Sequence, residues 1–133
     1  MRHSIRLLAT AGLVTLIACA KTSSLAPPAF RYPDLMRQAG IEGPVHFRVR
    51  LDSVGSPQLT TFQIVATPNP AFIPAVRNAL AGWRESSMAG RTFEHTVLFV
   101  MMDTAATDSL ARCRSSASEW AVCARRGRPH TLY

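Results

Sequence analysis

The stretch that decides the fold begins with Val45-His-Phe-Arg-Val-Arg-Leu-Asp52, in which apolar and polar side chains alternate. Successive side chains of a β-strand point to opposite faces, so this alternation predicts a half-buried strand. Its predicted buried face consists of Val45, Phe47, Val49 and Leu51. Its predicted exposed face consists of His46, Arg48, Arg50 and Asp52.

A turn and a second strand follow directly. Asp52 and Gly55 supply turn chemistry, and the run from Leu59 to Val65 is rich in β-branched and aromatic residues, so the two runs predict a hairpin. One face of a helix then appears at a period of three to four residues, in Phe72, Val76, Ala79, Leu80 and Trp83. Proline is tolerated only in the first turn, so Pro74 places the helix start near Ile73 or Pro74, and the helix is expected to end at Trp83-Arg84.

The run from Thr92 to Met102 predicts a third strand, and its second half is apolar on both faces. A hairpin, a helix and one more strand give an α+β domain with a three-stranded antiparallel sheet. We expect the third strand to lie at an edge of that sheet, where unpaired backbone groups accept an extended peptide or a second copy of the chain. The alternative is that the tail after Met102 covers this edge. The predicted partner-binding residues are Thr96, Val97, Leu98, Phe99, Val100, Met101 and Met102.

The first 18 residues have the pattern of a bacterial secretory signal. Basic residues precede an uncharged apolar run that is too short to span the hydrocarbon core of about 30 Å comfortably. The run ends in Leu16-Ile-Ala-Cys19, which resembles the lipobox of bacterial lipoproteins, in which the cysteine is acylated after cleavage. The alternatives are a plain cleaved signal peptide or a short anchor helix. The resemblance implies a signal peptide at 1–18 and a lipid anchor on Cys19.

Residues 19–31 have the composition of an extended tether between the lipid and the domain, which we place at 32–102. Residue +2 of the mature chain is Ala20, not the aspartate that acts as an inner-membrane retention signal in enteric bacteria, so we expect an outer-membrane lipoprotein that faces the periplasm. A fully extended chain from Cys19 to Tyr32 spans at most about 45 Å, which keeps the domain near the membrane.

Composition restricts the function classes. Loss of Arg2 and Arg6 with the signal lowers the formal charge from +7 to +5, and the basic residues are scattered without an aromatic-interleaved patch, which argues against nucleic acid. The histidines left after export are His46, His95 and His130, and none lies in a catalytic or zinc-binding motif. We therefore expect no enzyme activity, no metal and no cofactor.

Cys113 and Cys123 form a pair after export removes Cys19 from the thiol pool. In an oxidising compartment such a pair favours a disulfide, and the alternatives are two buried free thiols or a redox-active pair. We predict that residues 103–133 form a helical extension, with one helix from Asp103 or Thr104 to about Arg112 and another from Ser116 or Ser118 to about Ala124.

The ordered set of elements resembles the C-terminal domain of the TonB energy-transducing protein family. The resemblance covers about residues 30–102 and is carried by Tyr32-Pro33, the Glu42-Gly-x-Val45 entry to the first strand, the Asp52-x-x-Gly55 turn, the Trp83-Arg84 helix end and the final apolar strand. It implies an α-β-β-α-β fold, and it implies that the last strand pairs with an extended segment of an outer-membrane protein. The aromatic-x-Pro that normally follows Trp-Arg is replaced here by Glu85-Ser-Ser-Met88.

Two functions follow from these patterns. The first is a non-enzymatic lipoprotein, tethered to the membrane, that binds an envelope protein or peptide segment by strand addition. The second is a structural or polymer-binding lipoprotein that presents the basic strand face to anionic envelope polymer. That face consists of His46, Arg48 and Arg50.

Overall fold

The computed structural model describes residues 25–102 and 111–126. This part of the chain is α+β, with a four-stranded mixed sheet in the order β2-β1-β3-β4 and helices α1 and α2. Two short 3₁₀ turns, Pro70–Phe72 and Ser86–Met88, precede α2 and β3. The helices and strands are α1 Asp34–Ala39, β1 Gly43–Leu51, β2 Pro57–Ala66, α2 Ile73–Ala81, β3 Thr92–Met102 and β4 Glu119–Arg125.

The predicted hairpin is confirmed, and so is its alternation. The four apolar side chains of β1 are fully buried, whereas Arg48 and Arg50 are exposed. The turn is held by Asp52, whose carboxylate accepts hydrogen bonds from the backbone N–H groups of Val54 and Ser56, both at 2.9 Å. These bonds lower the pKa of Asp52. Gly55 has φ of +87°, and a side chain there would collide with the carbonyl of Glu85, so the turn requires glycine.

Helix α2 covers the inner face of the sheet with Val76 and Leu80. It begins at Ile73, as Pro74 predicts, because a proline at the second helical position removes no helical hydrogen bond. The helix ends at Ala81, earlier than expected, and Trp83 lies beyond it. The Trp83 ring still packs into the core, with its centroid 5.1 Å from that of Phe93.

The described part of the predicted extended tether, residues 25–31, is packed against the domain. The indole Nε1 of Trp83 donates a hydrogen bond to the carbonyl of Ala26 at 3.0 Å, and Pro28 is buried. Leu25 and Phe30 pack against the core, and the Phe30 ring lies 5.7 Å from that of Trp120. Prolines and small residues keep this segment extended, while its apolar side chains hold it against the domain.

The predicted three-stranded antiparallel sheet is also wrong, because a fourth strand completes it. Strand β4 pairs in parallel with β3, from Thr96 opposite Glu119 to Met102 opposite Arg125. The predicted helix from Ser116 or Ser118 to Ala124 is therefore a β-strand over most of its length. The other predicted tail helix, Asp103 to Arg112, lies mostly outside the described residues.

Strand β4 forms because its side chains alternate, with Trp120, Val122 and Ala124 all directed into the core. The Trp120 side chain is fully buried and contacts the rings of Phe47, Phe93 and Trp83, with centroids 5.3 to 6.4 Å apart. Burial of so large a ring outweighs the helical preference of the neighbouring alanines.

Candidate functional site

The predicted partner-binding residues lie in the interior of the sheet. Each of the seven, from Thr96 to Met102, is opposite a residue of β4 on one side, and β1 occupies the other side as far as Phe99. The expectation that this strand is a sheet edge is therefore wrong from Thr96 to Met102, where the alternative, that the tail covers the edge, is confirmed. The chain itself supplies the neighbouring strand that a partner was expected to supply.

Burial of Trp120 holds β4 in the sheet. Trp120 has no exposed surface, and its displacement would open a cavity under Phe47 and Phe93. Removal of a buried tryptophan side chain typically costs about 3 to 5 kcal/mol, a large part of the stability of a domain this size. A partner therefore cannot readily replace β4 along Thr96 to Met102.

The first part of β3 is different, because β4 begins only at the level of Thr96. Backbone groups point to alternate edges along a strand, and two hydrogen bonds fix the alternation here. The Leu51 N–H donates to the Arg91 carbonyl at 2.8 Å, and the Met101 N–H donates to the carboxylate of Glu42 at 2.6 Å, so odd-numbered residues face β1. The backbone groups of Thr92 and Glu94 therefore face the opposite edge, where the described residues provide no neighbouring strand.

A groove of about 650 Å³, here called the β3 groove, runs along this uncovered edge. Its floor is the edge of β3 from Thr92 to Thr96. Leu25 and Met88 form an apolar wall, and Ser118, immediately before β4, closes the end next to Thr96. The groove thus combines backbone groups that no described strand pairs with and an apolar surface, which is what an added strand needs.

His95 lies in the wall of the groove, as the predicted inward direction of its side chain implies. It is 5% exposed, stacks on Phe93 and lies 4.2 Å, centroid to centroid, from Trp120. Its Nε2 and the Trp120 Nε1 are buried without a hydrogen-bond partner in the described part of the chain. Burial, with a smaller contribution from the charge of His46, lowers the pKa of His95 to about 4. The ring is neutral at neutral pH.

The basic face predicted on β1 is present, but it is partly neutralised. His46 and Arg48 lie on the outer face of the sheet, and both contact the Glu94 carboxylate, at 3.0 Å and 2.9 Å. The hydrogen bond from Arg48, followed by the charges of both partners, lowers the pKa of Glu94. Arg50 lies in the next row, opposite Thr92 of β3. Only Arg50 of the three predicted residues has no ion pair with a described residue.

The disulfide between Cys113 and Cys123 is present, and their Cα atoms are 5.9 Å apart. Cys123 lies on β4 opposite Val100, so the bond ties β4 to the segment that precedes it. Two further bonds reinforce this segment, because Ser116 N–H donates to the Glu119 carbonyl at 2.7 Å and Ala121 N–H donates to Ser115 Oγ at 3.0 Å. The disulfide thus helps to hold β4, the strand at one end of the β3 groove, in place.

Within residues 25–102 and 111–126, no group of three or more histidine, cysteine, aspartate or glutamate side chains is placed to hold a metal ion. No helix there is long and apolar enough to cross a membrane. Cys19, with residues 1–18, lies outside the described residues, so its lipidation stays a prediction.

Comparison with known proteins gives no match: no family model, curated protein or solved structure corresponds to this chain. The resemblance to the TonB C-terminal domain therefore remains a prediction from motifs. The candidate site rests on the geometry of the β3 groove alone.

Sequence reasoning missed the groove because it depends on where β4 begins. A signal for β4 was available, since Trp120, Val122 and Ala124 alternate at a period of two. A signal for the Leu25 wall was weaker, and it consisted of the isolated apolar residues Leu25 and Phe30 in a polar and proline-rich segment. Neither pattern indicates the register of β4 against β3, which sets the length of the open edge.

Proposed function

We propose that this protein is a non-enzymatic lipoprotein of the bacterial envelope that binds a short extended segment of another protein by strand addition in the β3 groove. The observation that carries the proposal is the part of the β3 edge that no described strand covers, where the backbone groups of Thr92 and Glu94 face a groove with an apolar wall. Main-chain hydrogen bonds would supply affinity, and the surfaces of Leu25 and Met88 would select side chains.

The edge at β2 supports strand addition less well. Its pairing with β1 has two register shifts, between His46 and Phe47 and between Arg48 and Arg50, and such bulges twist a strand away from a flat partner. The strand also begins with Pro57, which has no N–H to donate. The first residues of β3 have neither a register shift nor a proline that would oppose an added strand.

The alternative function, binding of anionic polymer by the basic face, also has less support. The Glu94 carboxylate already contacts both His46 and Arg48, so a polymer phosphate or carboxylate would have to compete with it. Salt dependence separates the two functions, because ionic binding weakens as salt rises and main-chain strand pairing changes little.

The test uses a pair of variants at one position. Glu94→Pro removes the backbone N–H of residue 94 at the edge of β3, whereas Glu94→Ala keeps this N–H. Both variants lose the carboxylate. The Glu94 N–H faces away from β1, so neither change removes a hydrogen bond of the β1–β3 ladder. A photo-crosslinking residue at Ser118 would trap the partner in intact cells, and one at Val65, on β2, would serve as the position control.

We expect a defined adduct from Ser118, retained in Glu94→Ala and lost in Glu94→Pro, with both proteins folded by circular dichroism. The trapped segment, made as a peptide, should bind at least tenfold more weakly to Glu94→Pro. Equal binding by the two variants would show that the edge of β3 is not the site.

A further inference from the structure

The point at which the N-terminal segment reaches the domain is fixed. Leu25 lines the β3 groove, and the next residues are held by the Trp83–Ala26 hydrogen bond and by burial of Pro28. The described chain therefore begins at Leu25 beside the groove, in the half of the domain that contains Thr92 to Thr96 of β3. Residues 25–31 are packed on the domain, so they add no free length between the domain and any lipid on Cys19.

Chain length then limits the distance to the membrane. If Cys19 carries lipid, only six peptide steps separate it from Leu25, and a fully extended chain covers at most about 20 Å in six steps. Strand β3 has 11 residues and spans about 33 Å, so the two ends of the domain are farther apart than the free linker can reach.

We infer that the β3 groove faces the bilayer, and that its partner is an extended segment of a membrane protein lying within about 20 Å of the lipid surface. The identity of the groove as a binding site rests on the proposed function. The orientation rests only on the packed N-terminal segment and on lipidation of Cys19. In this orientation the groove opens into the narrow space between the domain and the bilayer. A partner segment must lie in that space, which favours a segment of a protein that is itself in the membrane.

Charge alone would favour the opposite orientation. At the end of β4 a second groove is lined by Arg31, Arg37 and Arg125, with Asp34 as the acidic residue among them. Arginine clusters are attracted to anionic headgroups by about 1 kcal/mol per residue near the surface. The short linker excludes this orientation, because the chain from Leu25 to a lipid on Cys19 would have to extend along the whole length of the sheet. Charge therefore predicts that the arginine-lined end of the domain lies near the bilayer, whereas linker length predicts that the end with the β3 groove lies there.

The experiment measures which end is nearer to lipid in the full-length lipoprotein. A fluorescent amino acid is placed at Ser87, next to Met88 of the groove, or at Gln38, in α1 at the other end, and both positions are exposed. The protein is reconstituted in vesicles of phosphatidylethanolamine and phosphatidylglycerol that carry an acceptor dye on the headgroups. Energy transfer should be clearly stronger from Ser87 than from Gln38, in low salt and in 0.5 M salt alike.

A matched control tests the role of the linker. Insertion of about twelve glycine and serine residues between Ser24 and Leu25 should remove the difference between the two positions in 0.5 M salt, and in low salt it should make transfer from Gln38 the stronger, because charge alone then sets the orientation. Equal transfer in the protein of natural length, stronger transfer from Gln38, or failure to bind vesicles would each overturn the inference. These outcomes are independent of peptide binding, which Glu94→Pro and Glu94→Ala test separately, so failure of one proposal is distinguishable from failure of the other.

Discussion

The imidazole of His95 lies 4.2 Å from the indole of Trp120, centroid to centroid, and both side chains are buried. His95 belongs to β3 and Trp120 to β4, so their contact joins the strand that forms the groove to the strand that closes one end of it. A change in the charge of His95 would act on the strand pair that shapes the β3 groove.

We predict that stability falls as pH is lowered from about 6.5 to 4. The pKa of His95 is lowered from 6.5 to about 4 in the folded protein, so the unfolded chain binds a proton in this range that the folded chain does not. The slope approaches 1.4 kcal/mol per pH unit, and the total effect is about 3 kcal/mol. Urea unfolding at several pH values measures it.

The variant His95→Phe, which keeps an aromatic ring beside Trp120, should reduce this slope strongly, while His46→Gln should keep most of it. A slope unchanged in His95→Phe would mean that another group causes the pH dependence.

Replacement of Trp120 tests whether β4 is a permanent part of the fold. We expect Trp120→Ala to lower the free energy of unfolding by about 3 to 5 kcal/mol, because the fully buried ring contacts several core rings. Arg125→Ala, at the exposed end of the same strand, should change it by less than about 0.5 kcal/mol. Chemical denaturation compares the two, and a loss below 1 kcal/mol for Trp120→Ala would show that β4 is displaceable.

The disulfide between Cys113 and Cys123 should stabilise the protein by about 2 to 3 kcal/mol, because it closes a short loop in the unfolded chain. The double variant Cys113→Ser/Cys123→Ser should unfold at correspondingly lower urea concentration. Alkylation of the natural protein without reductant, followed by mass measurement, should find neither cysteine modified. Two modified thiols in freshly isolated protein would contradict the bond.

The hydrogen bond from Trp83 to the Ala26 carbonyl predicts that residues 25–31 are protected from proteolysis. Trp83→Phe keeps the aromatic packing against Phe93 but loses the hydrogen bond, so we expect a loss of about 1 kcal/mol and faster tryptic cleavage after Arg31. Val54→Ala, on the exposed hairpin turn, is the control and should leave the cleavage rate unchanged. Equal cleavage rates in all three proteins would mean that the segment is not held by Trp83.

Lipidation of Cys19 predicts incorporation of labelled fatty acid into the natural protein. Cys19→Ser should abolish both the label and the partition with membranes, because no acyl chain then anchors the protein. Label in the serine variant would exclude Cys19 as the acylation site. Cys113→Ser, which leaves the predicted lipobox intact, should incorporate label normally.

Local patterns predicted most of the fold up to Met102. The alternation from Val45 to Leu51 placed β1 and its buried face, Pro74 placed the start of α2, and Asp52 with Gly55 placed the hairpin turn. These features are decided within a few residues by side-chain direction, by a missing backbone donor or by a positive φ. Such effects can be read from the sequence without knowledge of distant contacts.

The candidate site could not be predicted in the same way. The serines at 116 and 118 and the alanines near Trp120 favour a helix locally, whereas the alternation of Trp120, Val122 and Ala124 favours a strand. The ring contacts of Trp120 with Phe47 and Phe93 decide for the strand. The open edge at Thr92 and Glu94 then follows from the register of Thr96 against Glu119, which depends on residues more than twenty positions apart.

The parallel pairing of β4 with β3 has a consequence for the order in which the strands fold. Parallel neighbours need a long connection, and here the chain must return from Met102 to Glu119 before the last strand can form. If the chain is exported, as its first 18 residues predict, Trp120 reaches its place only after the strands that precede it have crossed the membrane. Until then Phe47, Phe93 and Trp83 lack their cover, so we expect the emerging chain to expose an aromatic surface that an envelope chaperone could hold.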